Sequence, residues 1–502
     1  KNMTSYNNQT STALYEQYKS LMLQVADLRY AAAVLQWDEE TYMPPKGAAI
    51  RGRQLATLSE TAHSLFTDKK LYELLHALNE RNDLSTDERI NVQLSFEDVT
   101  RQQKLTPTFV RNMSEAVSQS FHQWVVAKQS NDFQSFAPYL NKVILLKQEE
   151  AAIRGHSGHP YNAMLDEYER GSTVAQLDKL FDALKPVLLS LIPAATTFTN
   201  VNTDFLNRHY DKDEQWEWGL FLLKELGFDF DAGRQDLSAH PFTTNFSAQD
   251  VRLTTCVDTH DFRNMTWSTI HELGHGLYEQ GLPIEEYGLP AGEYCSLSIH
   301  ESQSRLWENC VGRSWGFIQK YYPVLQQKFS NQLADIDAAH FFKAINKVQP
   351  SLIRTEADEL TYHAHIIIRY TIEKELFEKT ISTEDIPTRW NELYKHHLGI
   401  VVPDDSRGCL QDVHWSHGSF GYFPTYSTGS LYAAQFWDAY QQIHAMQGPL
   451  NYTQLLAWLR KQIHAHGRKY TSEDLCRRVT GHGLNTDFFI NYIRQKYSTI
   501  RQ

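Results

Sequence analysis

Cysteine is scarce in this chain of 502 residues, and the few that occur are widely spaced. The five cysteines are Cys256, Cys295, Cys310, Cys409 and Cys476. Their number is odd and no C-x-x-C pair is present, which argues against a disulfide framework and against a zinc site built from cysteines. We expect buried, reduced thiols and therefore a cytoplasmic protein, because the cytosol keeps thiols reduced.

Basic clusters and long apolar runs are also missing. The chain carries a net charge of −12 and has no dense stripe of Lys and Arg, so no nucleic-acid partner is expected. No run of apolar residues is long enough to span a membrane, and residues 1–10 are polar and lack the apolar core of a secretory signal. No repeat or low-complexity linker divides the chain, which favours a single domain over residues 1–502 with residues 1–10 flexible.

Apolar residues recur at helical spacing along most of the chain. The first helix is indicated by Leu14, Tyr18, Leu21, Val25 and Leu28. It is predicted to end before Pro44, because proline blocks continuation of a helix. Further helices are predicted over residues 86–130, 134–154, 174–192, 315–347, 357–380, 428–445 and 452–465. The sequence therefore predicts a large, mainly α-helical body with two lobes.

One stretch breaks the helical pattern. Residues 239–259 are rich in Thr, Val and Phe and predict a small β-hairpin of two short strands. An edge strand there would pair with an extended peptide, or the hairpin simply covers the core; both interpretations stay open. Asp250 and Arg252 share one face of the second strand, which predicts an ion pair between them.

The pattern H-E-x-x-H occurs as His271, Glu272 and His275. Histidines four residues apart on a helix share one face, so their imidazoles converge, and Zn²⁺ binds imidazole nitrogen well. Glu272 projects beside the same cavity, where it can reach a metal-bound water. Gly274 and Gly276 weaken this helix, which indicates close packing of another element. The alternative is a surface helix carrying two unrelated histidines.

A catalytic zinc site needs a third protein ligand. Glu301 is the first candidate, on a second predicted helix that can lie beside the first. His300 is a rival, but adjacent residues on a helix point about 100° apart, so one position cannot supply both. Glu308 is a second rival that is better suited to hydrogen-bonding a ligand. A plain acidic residue on the helix surface is the remaining alternative for Glu301.

Together these motifs resemble a known family. The segment HELGH at 271–275 followed by HESQSR at 300–305 looks like the carboxypeptidase Taq family of metallocarboxypeptidases. Other stretches that agree are WDEETYMP at 37–44, HPF at 240–242, DVRLT at 250–254, IRTEAD at 353–358 and GCLQDVHW at 408–415. The matches occur in order and span most of the chain.

The resemblance implies an almost wholly α-helical fold with a long, deep groove. It also implies a homodimer and one divalent ion in each chain, Zn²⁺ or Co²⁺, with Glu301 as its third ligand. The implied activity is removal of single C-terminal residues from peptides with broad specificity.

The expected reaction is metal-assisted hydrolysis, in which Glu272 takes a proton from the attacking water and passes it to the leaving amine. The oxyanion needs a donor besides the metal, and Tyr422 and Tyr426 are candidates. Similarity to more distant helical peptidases of the same metal class favours Tyr422; a place in the core or groove wall is its alternative. His414 is expected to bind the substrate backbone or the oxyanion, unless it only packs against Trp415.

An exopeptidase must also bind the free carboxylate of its substrate, which a guanidinium does best. Arg354 is the first candidate, with an intrahelical pair to Asp358 as its alternative. Arg407 is the second candidate, with a salt bridge to a neighbouring aspartate as its alternative. His240 stands where the predicted edge strand begins and is expected to line the groove.

Two other functions remain open on the sequence alone. A metal-dependent endopeptidase, or an oligopeptidase that releases dipeptides, would share the metal centre but would not need an arginine about one residue beyond it. A non-catalytic helical binding protein with a relict metal site would not require Glu272.

Overall fold

The computed structural model describes Tyr6, residues 8–444 and residues 450–502. Most of these residues are helical, as the sequence predicts. The helices are α1 Ser11–Thr41, α2 Ala48–Phe66, α3 Lys69–Asn79, α4 Thr86–Gln103, α5 Pro107–Ser130, α6 Phe133–Arg154, α7 Asn162–Tyr168, α8 Val174–Phe198, α9 Lys212–Glu225, α10 Phe262–Gln280, α11 Leu297–Arg305, α12 Trp315–Lys328, α13 Ser330–Leu333, α14 Ala338–Ile345, α15 Thr361–Glu378, α16 Ile386–Leu398, α17 Pro424–His444, α18 Tyr452–Gln462, α19 Ser472–Thr480 and α20 Thr486–Arg501. The residues predicted to be flexible, 1–10, lie partly outside the described residues, as does residue 445 at the end of a predicted helix.

Four predicted helices are interrupted or shortened in the structure, and one of them, 452–465, ends at Gln462. The segment 86–130 forms two helices, because Thr106 caps α5 by accepting a hydrogen bond from the amide of Phe109 and Pro107 fits the first helical position. The segment 315–347 forms α12, α13 and α14, and Asp337 caps the last of them. The segment 357–380 becomes helical only at Thr361. Side-chain caps inside a periodic apolar pattern thus account for the breaks before α5 and before α14.

A small sheet precedes α10; it contains the predicted two-stranded hairpin and one further strand that was not predicted. It has three strands, β1 Gly233–Leu237, β2 Thr243–Ser247 and β3 Asp250–Thr255, in the order β1-β3-β2. Strands β2 and β3 form the antiparallel hairpin, whereas β1 pairs with β3 in parallel. The sequence of β1, GRQDL, is mostly polar and so gave no strand signal.

Strand β2 lies at one edge of this sheet. The ion pair predicted on β3 is confirmed, since Arg252 Nε lies 2.5 Å from Asp250 Oδ1.

The buried apolar residues form two separate clusters. The smaller one is built almost entirely from residues 6–99, with Leu289 added, and the larger one runs from Ala116 to Ile500. Two cores agree with the predicted two-lobed body. Helices α10, α11 and α17 belong to the larger cluster, where α11 packs against both of the others.

The burial of the cysteines and the presence of apolar helices can be compared with the cytoplasmic location expected from the sequence. Cys295, Cys310, Cys409 and Cys476 are buried, as expected, whereas Cys256 is half-buried; all five are free thiols. In the described part of the chain, α8 alone is long and apolar enough to cross a membrane, by length and composition only. Core helices of soluble proteins pass the same test, and Leu177, Leu184 and Leu188 of α8 lie in the larger apolar cluster.

Candidate metal centre

Two neighbouring helices bring three potential metal ligands together. His271 and His275 lie one turn apart on α10, and Glu301 lies on α11. The Nε2 atoms of His271 and His275 lie 3.8 Å and 3.5 Å from Oε2 of Glu301. One ligand atom from each of the three residues falls within 4.8 Å of the others, and no second such group occurs in the described residues. Two imidazole nitrogens and one carboxylate form the donor set of a catalytic zinc site.

Glycines allow the helices that carry these ligands to approach closely. A Cβ added to Gly274 of α10 would lie 2.5 Å from the carbonyl oxygen of Gln303 and the Cα of Ser304 on α11. A Cβ on Gly276 would lie 2.8 Å from the side chain of Leu253 on β3, so the close packing inferred from these two glycines is confirmed. On α17, a Cβ on Gly429 would lie 2.7 Å from the side chain of Glu301. The sequence analysis did not identify this third contact.

The far nitrogen of each imidazole has its own hydrogen-bond partner. Nδ1 of His271 lies 2.7 Å from the carboxylate of Glu308, in a π-helical turn after α11. Nδ1 of His275 lies 2.6 Å from Nδ1 of His300, whose Nε2 lies 2.6 Å from Glu279. These contacts orient both Nε2 atoms towards Glu301. Glu308 and His300, the rivals for the third ligand position, therefore contact the Nδ1 atoms of the two histidines, whereas Glu301 faces their Nε2 atoms.

Arginine neighbours keep the buried carboxylates of this centre ionised. Arg305 Nε lies 2.6 Å from Oε1 of Glu301, and Arg305 Nη1 lies 3.3 Å from Glu308. Burial by itself would raise the pKa of both acids, but Arg305, together with the neighbouring histidines at Glu301 and with His271 and Arg313 at Glu308, outweighs it; the pKa of Glu301 is strongly lowered and that of Glu308 falls to about 2. An ionised Glu301 is the form that binds a cation.

Glu272 is held by a side chain from the sheet. Its carboxylate is buried, and the Thr243 hydroxyl on β2 donates to Oε2 at 2.5 Å. The same hydroxyl lies 3.1 Å from the backbone carbonyl of Glu272. Thr243 was not predicted from the sequence; its place directly after the HPF stretch at 240–242 was the only available signal.

Arg354 begins a short 3-10 helix, Arg354–Glu356, and lies in a buried charge cluster. Its Nε and Nη2 each lie 2.9 Å from Oδ1 of Asp412, and Arg369 contacts the other oxygen of that carboxylate at 2.6 Å. The alternative pairing with Asp358 was wrong, because Asp358 caps α15 by accepting from the amides of Leu360 and Thr361 at 3.0 Å.

Arg354 is connected to the metal group through two side chains. Its Nη1 donates to the hydroxyl of Tyr362 at 3.1 Å. The ring of Tyr362 lies 4.8 Å from the Arg305 guanidinium, which binds Glu301. The first candidate for the carboxylate anchor is thus linked to Glu301 through Tyr362 and Arg305.

The second arginine and His240 lie at the surface. Arg407 is exposed and pairs with Asp404, with its Nη2 2.5 Å from Oδ2. His240 is exposed in the loop before β2, where its backbone carbonyl accepts from Ser238 at 2.6 Å. Among the described residues, neither side chain contacts a member of the metal group.

The loop before α17 and the first turn of α17 bring His414, Tyr422 and Tyr426 together. His414 Nε2 lies 3.3 Å from the Tyr426 hydroxyl, and its ring lies 5.4 Å from that of Tyr422. Burial lowers the pKa of His414 to about 4, so its imidazole is neutral at pH 7. Burial, with the charge of Glu301, raises the pKa of Tyr422, which keeps its phenol protonated and able to donate.

Known proteins share this architecture over nearly the whole chain. A family model described as Carboxypeptidase Taq (M32) metallopeptidase matches residues 17–497. Carboxypeptidase 1 of Bacillus subtilis is 37% identical over 491 residues, which cover 97% of this chain and 98% of that protein. Thermostable carboxypeptidase 1 of Thermus thermophilus is 38% identical over 511 residues, covering 98% and 99%. The crystal structure of an M32 carboxypeptidase from Deinococcus radiodurans matches with a TM-score of 0.94 and 36% identity, covering 97% of this chain and 99% of that one. The chain therefore belongs to the carboxypeptidase Taq (M32) family and is a metal-dependent carboxypeptidase that hydrolyses peptides.

Proposed function

We propose that this carboxypeptidase uses one Zn²⁺ bound by His271, His275 and Glu301 to release single C-terminal residues from a broad range of peptides. The observation that carries the proposal is the convergence of two oriented imidazole nitrogens and an ionised carboxylate. This donor set fits Zn²⁺, and Co²⁺ accepts the same ligands. When bound, the ion supplies a Lewis acid and makes water nucleophilic near neutral pH.

Glu272 is proposed as the general base. It lies next to His271 on α10, is buried, and is fixed by Thr243. In this role its carboxylate takes a proton from the attacking water and then delivers that proton to the nitrogen of the departing amino acid. A base fixed before the substrate arrives loses little freedom in the transition state.

Tyr422 and His414 are proposed to act on the substrate carbonyl. The protonated phenol of Tyr422 can donate a hydrogen bond to the developing oxyanion. His414 is neutral and can donate to, or accept from, the substrate backbone. The electrostatic influence of Glu301 on Tyr422 supports a position of that phenol close to the metal group.

Arg354 is proposed as the anchor for the free C-terminal carboxylate, in preference to Arg407. Its bonds to Asp412 and Tyr362 leave one N–H on each terminal nitrogen, the number that a bidentate carboxylate contact needs. Arg407 is exposed, and a carboxylate contact there would be weakened by water. His240 is proposed to contact substrate farther from the metal, through its place three residues before Thr243.

The proposal also includes the cellular location, the oligomeric state and the domain organisation. The free, mostly buried thiols support a cytoplasmic location. A homodimer and a single catalytic domain over residues 1–502 are proposed from the resemblance to the family.

A paired digestion after metal reconstitution tests this function. The metal-free protein is loaded with Zn²⁺ or Co²⁺ and given one short peptide with a free and with an amidated C-terminus; products are identified by mass. We expect stepwise loss of single residues from the free acid once about one equivalent of metal is bound. The amidated peptide should react far more slowly, because the amide removes the charge that Arg354 binds. Glu301→Gln serves as the variant with impaired metal binding. Internal cleavage of both peptides would contradict the exopeptidase mechanism.

Thr243→Val is expected to lower kcat about tenfold, because Glu272 loses the donor that fixes its carboxylate. Valine keeps the branched shape that suits strand β2. Thr244→Val is the matched control, since neighbouring side chains on a strand point to opposite faces. Steady-state kinetics and metal content are measured for both variants. An equal change in kcat for the two variants would contradict a specific role for Thr243.

A further inference from the structure

Glu373 is a buried carboxylate outside the metal centre that binds the chain at Trp415 and at Gly421, next to His414 and Tyr422. Glu373 lies on α15 and is fully buried. The indole Nε1 of Trp415 donates to its Oε1 at 2.7 Å, and the backbone amide of Gly421 donates to its Oε2 at 2.8 Å. Each donor is the sequence neighbour of one proposed catalytic side chain.

The other contacts of Glu373 fix it in place. The hydroxyl of Tyr161, just before α7, donates to Oε2. Four residues earlier on α15, Arg369 binds Asp412 at the start of the same loop. Residues four apart share one face of a helix, so one face of α15 holds the loop at positions 412, 415 and 421.

The loop backbone is closely confined where Glu373 binds it. Gly421 has φ of +91°, and a Cβ there would lie 2.5 Å from the carbonyl oxygen of Met164 on α7. Glycine is therefore needed at this position for both conformation and space. Gly421 directly precedes Tyr422 in the chain, so its hydrogen bond to Glu373 fixes the backbone from which the phenol projects.

We infer that Glu373 is a positioning residue, whose carboxylate orients His414 and Tyr422 towards the substrate carbonyl by holding Trp415 and Gly421. This inference rests on the roles proposed above for those two side chains. Glu373 itself touches neither the metal ligands nor the substrate site.

The charge of Glu373 makes this role dependent on pH. Burial raises its pKa to about 7, although the hydrogen bonds from Tyr161, Gly421 and Trp415 and the charge of Arg369 act in the opposite direction. The titratable and charged groups facing it are Tyr161 from the segment before α7, Tyr168 at the end of α7 and Arg369 from α15 itself. Above pH 7 the carboxylate accepts all its donors, whereas below pH 7 a protonated oxygen loses acceptor capacity.

Stability responds to this group in the opposite sense. A carboxyl whose pKa is raised on folding binds its proton more tightly in the folded state, so its contribution to stability falls as pH rises from about 4.5 to about 7. Positioning of the loop improves over the same range. Stability and loop positioning therefore change with pH in opposite directions, so melting temperature and kcat report on them separately.

The test compares kcat of the wild type with that of Glu373→Gln at a series of pH values. Titrations common to both proteins cancel in the ratio. We expect a ratio near one at about pH 5.5 that rises to about tenfold above about pH 8, because glutamine resembles the protonated acid. Glu375→Gln, two residues along α15, is the matched control and is expected to give no pH-dependent ratio. Tyr161→Phe removes a donor but keeps the carboxylate, so the midpoint of its own pH profile should move upward.

A ratio independent of pH, accompanied by a lower melting temperature, would overturn the inference in favour of a structural role. If Glu373→Gln does not fold, an unchanged midpoint in Tyr161→Phe overturns it instead. Tyr422→Phe is measured alongside: normal kcat in that variant removes the proposed role of Tyr422. If Glu373→Gln has a normal kcat and Tyr422→Phe has a reduced one, the positioning role of Glu373 is overturned and the role of Tyr422 stands.

Discussion

Glu272→Gln is expected to lower kcat for a free-acid peptide by about 10³-fold while the protein still binds its metal. Glutamine has nearly the same shape and its side-chain oxygen can still accept a hydrogen bond from the Thr243 hydroxyl. Its amide, however, cannot take a proton from water. His271, His275 and Glu301 are unchanged, so metal affinity should be retained. The measurement is kcat together with metal content determined on the same sample.

The control for this variant is Glu285→Gln, an exposed acid in the short turn after α10. It makes the same chemical change without touching the site, and its kcat should match that of the wild type. A Glu272→Gln protein that keeps its metal and loses less than about threefold in kcat would contradict the assignment of Glu272 as base.

Arg354→Lys is expected to lower kcat/KM for the free-acid peptide by about 100-fold and to leave the slow turnover of the amidated peptide nearly unchanged. Lysine keeps a positive charge beside Asp412, but it lacks the planar fork that binds a carboxylate through two hydrogen bonds. The ratio of kcat/KM for acid and amide is measured for each protein. Because the amide substrate reports on the rest of the site, a general structural defect would lower both values.

Arg407→Lys is the comparison that separates the two candidate anchors. Its guanidinium is exposed and paired with Asp404, so the ratio of acid to amide turnover should stay at the wild-type value. If Arg407→Lys collapses that ratio and Arg354→Lys does not, Arg407 is the anchor and the buried cluster around Asp412 is structural.

The central ligands were predictable because their geometry is local. The four-residue spacing of His271 and His275 fixes their relation on any helix, and Gly274 indicated that another element packs there. Glu301 followed from the need for a third ligand, together with the resemblance of its segment to the family. These conclusions required only helix geometry and coordination chemistry.

The supporting residues were not predictable in the same way. Thr243, Gly429 and Glu373 reach their partners across the fold, and no periodicity in the sequence links them to those partners. For the same reason the sequence placed helices well but missed the polar strand β1, whose pairing with β3 depends on tertiary contacts.

The measurement that tests the central claim most directly is anomalous diffraction at the zinc absorption edge from crystals of the zinc-loaded protein. We predict a single strong peak in each chain, within coordination distance of Nε2 of His271, Nε2 of His275 and the carboxylate of Glu301. A peak bound by His300 or Glu308 in place of Glu301, or one away from α10 altogether, would contradict the proposed metal centre.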